Sequence, residues 1–422
     1  MSFRSARRVA DFGETVFARY SRLAAEHGAI NLGQGFPDFA PPDFVLAAYR
    51  RAALGDQQYA PLAGLPDLLA ELAAEYAPRR AGALTPDTLL VTVGATEALF
   101  AALQGLVDEG DEVILLEPCY DAYPAQVRLA QGVPRFVPLE PGADGRWRLE
   151  PGALRAAVTK RTRLLVLNTP HNPTGTVFGE AELDMMIALA HEHDFYLLSD
   201  EVYEHIRFAP WTSPAARPGG WERTLAAGSL GKTFSVTGWK VGWLVGPEPL
   251  VRASRLAHQW IPFVVATPLQ RAAAEILRTA REPERDFYRG LAEDYRSKRD
   301  RLVAALRQTP FAPMTPEGST FVMADSRAGG YPDAETLCLE LPARAGVAAI
   351  PRARRARPSP RALRVLQGGR GAGRSRPAAR RARLAARGRE RLELGPRVIG
   401  RKRVGSSRMK RIGRLLRPSN QS

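Results

Sequence analysis

The chain carries a set of short apolar runs, each closed by small or polar residues and separated from the next by a helical stretch. Leu89-Leu90-Val91-Thr92-Val93 runs into Gly94-Ala95-Thr96-Glu97 and then an apolar helix. Glu112-Val113-Ile114-Leu115-Leu116 ends on Glu117-Pro118-Cys119-Tyr120. Leu164-Leu165-Val166-Leu167 ends on Asn168, and Phe195-Tyr196-Leu197-Leu198 ends on Ser199-Asp200-Glu201. Runs this short and this apolar fit strands buried on both faces. Alternation with helices predicts an α/β fold with a mostly parallel central sheet and helices on both faces. Ligands of such sheets sit beyond the strand C-termini, where these polar residues gather.

The flanking segments complete the expected outline. Residues up to Ala25, 43–53 and 66–77 read as helices, the last with Pro66 at a tolerated first-turn position. Residues 249–278 form one long amphipathic stretch, and 286–306 one charged helix suited to joining a large domain to a smaller one. Residues 317–323 and 346–351 read as strands. The expected organisation is an N-terminal arm with part of a small domain (1–44), a large domain (45–287), a small α+β domain (288–351) and a basic tail (352–422).

Charge separates the tail from the rest. Residues 352–422 hold 24 Lys+Arg against 2 Asp+Glu, which leaves 36 basic and 42 acidic residues before them. The net +16 therefore belongs to the tail, and the body is mildly acidic, like an ordinary enzyme. The tail contains no Phe, Tyr or Trp and shows no sustained periodicity. It cannot bury enough apolar surface to offset ordering, so disorder is expected there. Two cysteines, Cys119 and Cys338, exclude a disulfide framework and a cysteine-only zinc site, and no metal is expected. The first residues lack the apolar segment of a secretory signal, and no apolar run reaches the length of a membrane span. A cytoplasmic protein without a membrane partner is expected.

Chemistry concentrates in a few places. In Gly228-Ser229-Leu230-Gly231-Lys232-Thr233, small residues surround one lysine, and Lys240 follows eight positions later. A lysine held among apolar neighbours loses proton affinity and becomes an amine nucleophile able to form a Schiff base with an aldehyde cofactor. Alone, the stretch reads equally as a Gly-rich turn with two solvated lysines. The Gly94-Ala95-Thr96 turn at a helix start offers free N–H groups to an anion. Tyr120 can stack on a flat ring, and Asp200 at the end of an apolar strand needs a partner for its charge. Gly33-Gln34-Gly35-Phe36-Pro37 suggests backbone close to a ligand.

Three separated words agree: Asn168-x-Pro-x-Asn172-Pro-x-Gly175, Ser199-Asp200-Glu201-x-Tyr203, and Ser229-x-x-Lys232 with Lys240. Together they resemble the class I pyridoxal-phosphate aminotransferases of fold type I. Asn31-Leu32-Gly33-Gln34-Gly35-Phe36-Pro37-Asp38-Phe39 and the run from Gly231 to Gly242 point to the methionine, kynurenine and glutamine aminotransferase branch. The likeness runs from about residue 10 to Pro351. It implies pyridoxal 5′-phosphate as cofactor, with Lys232 as its Schiff-base lysine and proton carrier. It implies that Asp200 pairs with the ring nitrogen, that Asn172 and Tyr203 bind the ring oxygen, and that Tyr120 stacks on the ring. Ser229, Lys240 and the backbone at Gly94, Ala95 and Thr96 would hold the phosphate. Lys240 stands where many relatives carry arginine, and binds as a point charge rather than a planar fork. Tyr59 would reach the phosphate of a neighbouring subunit, so a homodimer is implied. Gly35 and Asn172 would receive the carboxylate of an amino acid that gives its amino group to a 2-oxo acid.

The resemblance breaks after Ile350-Pro351. Relatives continue to a strand containing Arg-Phe-x-Phe, whose arginine binds the substrate carboxylate bidentately. No such word follows here. Ala362-Leu363-Arg364-Val365-Leu366-Gln367-Gly368 can be back-translated so that a one-base shift reads Arg-Phe-Val-Phe-Cys-Lys-Ala. We read the segment past codon 351 as out of frame. Two other functions stay in view: a β-lyase acting on cysteine conjugates with the same cofactor, and a catalytically impaired body whose basic tail binds nucleic acid. The tail lacks the aromatics and patterning of nucleic-acid modules.

Overall fold

The structure is a computed structural model, and it describes residues 5–79, 84–142, 144–352 and 362–366. Its strands in chain order are β1 (Ile30–Asn31), β2 (Leu89–Thr92), β3 (Glu112–Glu117), β4 (Val133–Pro141), β5 (Trp147–Leu149), β6 (Thr162–Asn168), β7 (Tyr196–Asp200), β8 (Thr224–Ser229), β9 (Gly242–Val245), β10 (Ala312–Pro313), β11 (Phe321–Asp325), β12 (Val347–Ala348), β13 (Ile350–Arg352) and β14 (Ala362–Leu366).

Eight of them form the central sheet in the order β2-β9-β8-β7-β6-β3-β4-β5. The middle of this sheet, β8 through β4, is parallel, while β9 runs antiparallel to both neighbours and β5 antiparallel to β4. The mostly parallel arrangement expected from the apolar runs is what forms. The reason is visible in burial: β2 and β3 are buried at every residue, as is β7 beyond Tyr196. A strand covered on both faces needs a helix layer on each side, and two separate apolar clusters fill those layers. One packs Leu99, Leu103, Leu115 and Val166 together; the other packs Ile114, Leu165, Met186 and Phe195.

Register aligns the ends that matter. Asn168 of β6 lies opposite Asp200 of β7, and Asp200 opposite Ala227 of β8. Ser229 at the end of β8 lies opposite Gly242 at the start of β9. Two small sheets lie apart from this one: β1 with β12 in parallel, and the antiparallel order β10-β11-β14-β13.

Several elements differ from expectation. The opening segment is two helices, Arg7–Ala10 and Val16–Glu26, because Thr15 caps the second by accepting from Ala18 N at 3.2 Å. The stretch 249–278 is likewise two helices, Glu248–His258 and Thr267–Ala280, separated by a turn in which Phe263 takes φ 73°. Gly94–Glu97 is no separate turn but the first turn of the helix Gly94–Leu106. Disorder was expected throughout 352–422. Arg352 instead closes β13, and 362–366 form β14 between β11 and β13. Backbone pairing of this kind needs no particular side chain. The rest of that expectation falls on residues outside those described. Among the described residues no helix is long and apolar enough to cross a membrane, and both cysteines are buried thiols.

Candidate functional site

The C-terminal ends of β6, β7 and β8 converge on Lys232. The lysine sits on a four-residue helix, Leu230–Thr233, that starts directly where β8 ends at Ser229. It is half-buried, its ammonium donates to the Gly35 carbonyl, and it stands 5.8 Å from the centroid of the Tyr203 ring. Gly35 thus comes to the lysine from 197 residues away in the chain.

Asp200 ends β7 and is buried. Its Oδ2 accepts from the Tyr123 hydroxyl at 2.7 Å and its Oδ1 from Val202 N at 3.3 Å. Burial pushes this carboxyl up to about 6, against the lowering effect of Tyr123, Val202 and the Lys232 charge. Beside it, Asn168 donates through Nδ2 to the Asp200 carbonyl at 2.8 Å and accepts through Oδ1 from Asn172 N at 2.6 Å. One asparagine therefore clamps the loop carrying Asn172 to the strand carrying Asp200. The Asn172 side-chain oxygen is buried and has no hydrogen-bond partner. Tyr203 is buried with its ring edge-on to Phe321 at 5.9 Å. Tyr120 lies edge-on to Tyr123 at 5.6 Å and to Phe17 at 6.3 Å.

An anion cradle adjoins this cluster. Lys240 holds the left-handed conformation at φ 54°, and its ammonium donates to Thr96 Oγ1 at 3.1 Å. Gly94 has φ 70°, and a Cβ there would stand 3.0 Å from Lys240 Nζ. Gly242 packs so closely that a Cβ would meet Ala95 N at 2.5 Å. Glycine is required at both places to bring the start of the helix Gly94–Leu106 against Ser229 and Lys240. Burial lowers the Lys240 ammonium below its ordinary range. A cation at the start of a helix, beside its first N–H groups, is suited to a dianion.

The structure brings together Gly35, Gly94, Ala95, Thr96, Tyr120, Asn172, Asp200, Tyr203, Ser229, Lys232 and Lys240. It leaves Tyr59 apart, 80 % exposed and edge-on to Phe263 at 5.4 Å. Trp260 and Phe263 are exposed nearby in sequence, at 85 % and 53 %. Sequence reasoning assigned no role to Tyr123 or to the bridging side chain of Asn168. It also missed the group behind Lys232, where Trp243 Nε1 donates to the Tyr76 hydroxyl at 2.7 Å and that hydroxyl donates to Glu204 Oε1 at 2.7 Å. Asn168 four residues before Asn172 was an available signal; Tyr76 and Tyr123 carried none.

Comparison with known proteins fits this geometry. The model of the family "aminotransferase class I and II" matches residues 27–367, beyond the Pro351 at which the likeness was expected to stop. Human kynurenine–oxoglutarate transaminase 1 is 40% identical over 338 residues, covering 76% of this chain and 80% of the relative. The structure of Escherichia coli YbdL, reported to identify a methionine aminotransferase function, superposes with a TM-score of 0.81 at 37% identity, covering 88% of this chain and 97% of that one. N-succinyldiaminopimelate aminotransferase from Mycobacterium tuberculosis superposes with a TM-score of 0.84 at 36% identity, covering 98% and 100%.

Proposed function

The chain belongs to the class I and II aminotransferase family and is a pyridoxal-phosphate-dependent aminotransferase of fold type I, and we propose that Lys232 is its catalytic residue. The residues present fit the cofactor that the family implies. An aldehyde finds an amine in Lys232, and a phosphate finds Lys240, Ser229, Thr96 and the N–H groups at Gly94 and Ala95. A ring nitrogen finds the buried Asp200, and a ring oxygen finds Tyr203 and the amide of Asn172, whose own oxygen is buried without a partner. Tyr120 offers an aromatic face. When bound, pyridoxal phosphate withdraws electrons from the substrate Cα and carries the amino group from donor to acceptor.

The chain's own residues hold and move protons around that chemistry. Lys232 Nζ takes the proton that leaves the substrate Cα and returns it during transfer, as a base that becomes an acid. Asp200, held by Tyr123, keeps a proton on the ring nitrogen through charge pairing in a water-poor site. Gly35 and Asn172 lie where a substrate carboxylate would be received. Tyr59, solvent-exposed in the single chain, would reach the phosphate of a partner in a homodimer, with the exposed Trp260 and Phe263 in the same contact. The amino donor is an apolar, aromatic or glutamine-type amino acid, among which methionine and kynurenine rank first because relatives bear those names.

The observation that carries this reading is the Asn168 clamp, which sets Asn172 and Asp200 on the side of the sheet where Lys232 stands. The test is optical. The purified chain loaded with pyridoxal phosphate should absorb in the visible, lose that band on addition of methionine, and regain it with a 2-oxo acid. Turnover retained by Lys232→Ala would remove the proposal.

A further inference from the structure

The loop after Tyr203 and the first turns of the helix Phe287–Leu306 border an open cavity of about 440 Å³ that none of the Lys232-site residues lines. Its walls include His205, Arg207, Phe208, Pro210, Tyr288 and Arg296. Two of these guanidiniums have no carboxylate within ion-pairing distance among the described residues. Arg207 donates to the Trp211 carbonyl at 3.3 Å and lies 5.4 Å from the Trp211 ring, and Arg296 lies 6.0 Å from the Phe208 ring. Neither forms an ion pair with a described residue. Arg289 also lines the cavity but is already paired with Asp286 and Glu293.

Arg207 is the unusual one. It is half-buried, and one carbonyl occupies only one of its five N–H donors. Burial and the nearby Arg79 charge both work against its cation, and Glu204 works for it. A guanidinium withdrawn from water without a carboxylate is costly unless an anion completes it. The remaining wall is flat: Phe208, whose ring also lies 4.6 Å from the Arg299 guanidinium, Pro210, and Tyr288, stacked on His205 at 3.8 Å. Burial pushes His205 down to about 3, so it adds no charge at neutral pH.

We infer that this cavity binds a small organic phosphate, its flat body against Phe208 and Tyr288 and its phosphate between Arg207 and Arg296. Two guanidiniums from different elements suit a phosphate, whose several oxygens accept from both at once. The inference does not depend on the role of Lys232.

Calorimetry decides it on protein loaded with pyridoxal phosphate and freed of the excess, with adenosine 5′-monophosphate, inorganic phosphate and adenosine as probes. The monophosphate should bind at one site per chain, more weakly as salt rises, and adenosine should not bind. Arg207→Gln and Arg296→Gln should each weaken binding about tenfold while the visible cofactor band stays unchanged. Both variants should fold, because the bridge of Arg207 to Gly318 is made by backbone and Arg296 is exposed on its helix. No binding at millimolar concentration would overturn the inference. So would binding left unchanged in both variants. Inorganic phosphate binding as tightly as the monophosphate would overturn the assignment of an organic ligand.

Discussion

The Tyr123 hydroxyl donates to Asp200 Oδ2 at 2.7 Å, across 77 residues of chain. That bond is part of what keeps a buried carboxyl from rising further above its ordinary 3.8 than the value of about 6 it reaches. A carboxyl raised in the folded state binds more protons folded than unfolded, so its contribution favours folding at low pH. That contribution is complete below 3.8 and is lost as pH rises through about 6. Its size is about 3 kcal/mol. In the cofactor-free protein, Asp200→Asn should therefore gain stability relative to the parent on going from pH 4 to pH 7 (~2 kcal/mol), read by denaturant titration at each pH. A stability difference independent of pH would sink the assignment. Tyr123→Phe should act on the loaded enzyme, shifting the pH profile of the visible band because Asp200 stays protonated to higher pH.

Tyr76 packs against Gly228, near the end of the strand that leads to the lysine. Its hydroxyl accepts from Trp243 and donates to Glu204, the residue after Tyr203, and Arg79 reaches the other Glu204 oxygen at 2.7 Å. Gly228, directly before Ser229, packs on this pair: a Cβ there would meet Trp243 Nε1 at 2.3 Å and the Tyr76 hydroxyl at 2.6 Å. Tyr76→Phe leaves an indole N–H and a carboxylate oxygen short of a partner and should cost about 1–3 kcal/mol. Gly228→Ala overpacks the same spot and should cost about 1–3 kcal/mol. Gly228→Ala should also reduce cofactor affinity, because the strand it distorts ends at Ser229. Thermal unfolding and cofactor titration check both effects, and a Gly228→Ala protein with unchanged affinity would separate Gly228 from the site.

Lys240 should be worth a large part of phosphate binding. Its ammonium stands over Gly94 and bonds Thr96. Removing a charge-assisted hydrogen bond costs about 1.5–3 kcal/mol, so Lys240→Ala should weaken pyridoxal phosphate binding by roughly ten- to a hundredfold. Pyridoxal, which lacks the phosphate, should bind parent and variant alike. An equal loss for both compounds would mean that the substitution damages the fold rather than the phosphate site.

Lys232, Asp200 and Asn172 could be singled out in the sequence because their types and spacing imply chemistry, and the fold sets them at one end of the central sheet. The central sheet was legible because β3, β6 and β7 each carry an unbroken apolar run between their polar ends. Tyr123 was not, since nothing around it in sequence marks a tyrosine whose hydroxyl meets a strand end 77 residues away. Tyr76 and Glu204 are 128 residues apart and meet only through packing. The split between Glu248–His258 and Thr267–Ala280 was hidden because both helices continue one amphipathic pattern, and the break rests on a turn conformation. β14 was hidden for the opposite reason. Its arginine-rich surroundings read as text that cannot fold, yet main-chain pairing with β11 and β13 draws on no side chain.

β14 also bears on substrate binding. Ala362–Leu366 is the segment whose one-base-shifted reading spells Arg-Phe-Val-Phe-Cys, and it occupies the interior of the four-stranded sheet. A strand in that position with the shifted residues would offer an arginine able to pair bidentately with a substrate carboxylate. Loss of one partner of such a pair costs about 2–5 kcal/mol, or roughly thirty- to several-thousand-fold in binding. A gene shifted by one base near codon 351 should therefore give a protein whose kcat/KM for its amino donor rises by roughly that factor. Cofactor affinity should stay the same, because Lys232, Asp200 and Lys240 all precede the shift. Steady-state kinetics of the two chains with methionine or kynurenine makes the comparison. Equal kcat/KM values would show that the chain as it stands receives the carboxylate without that arginine.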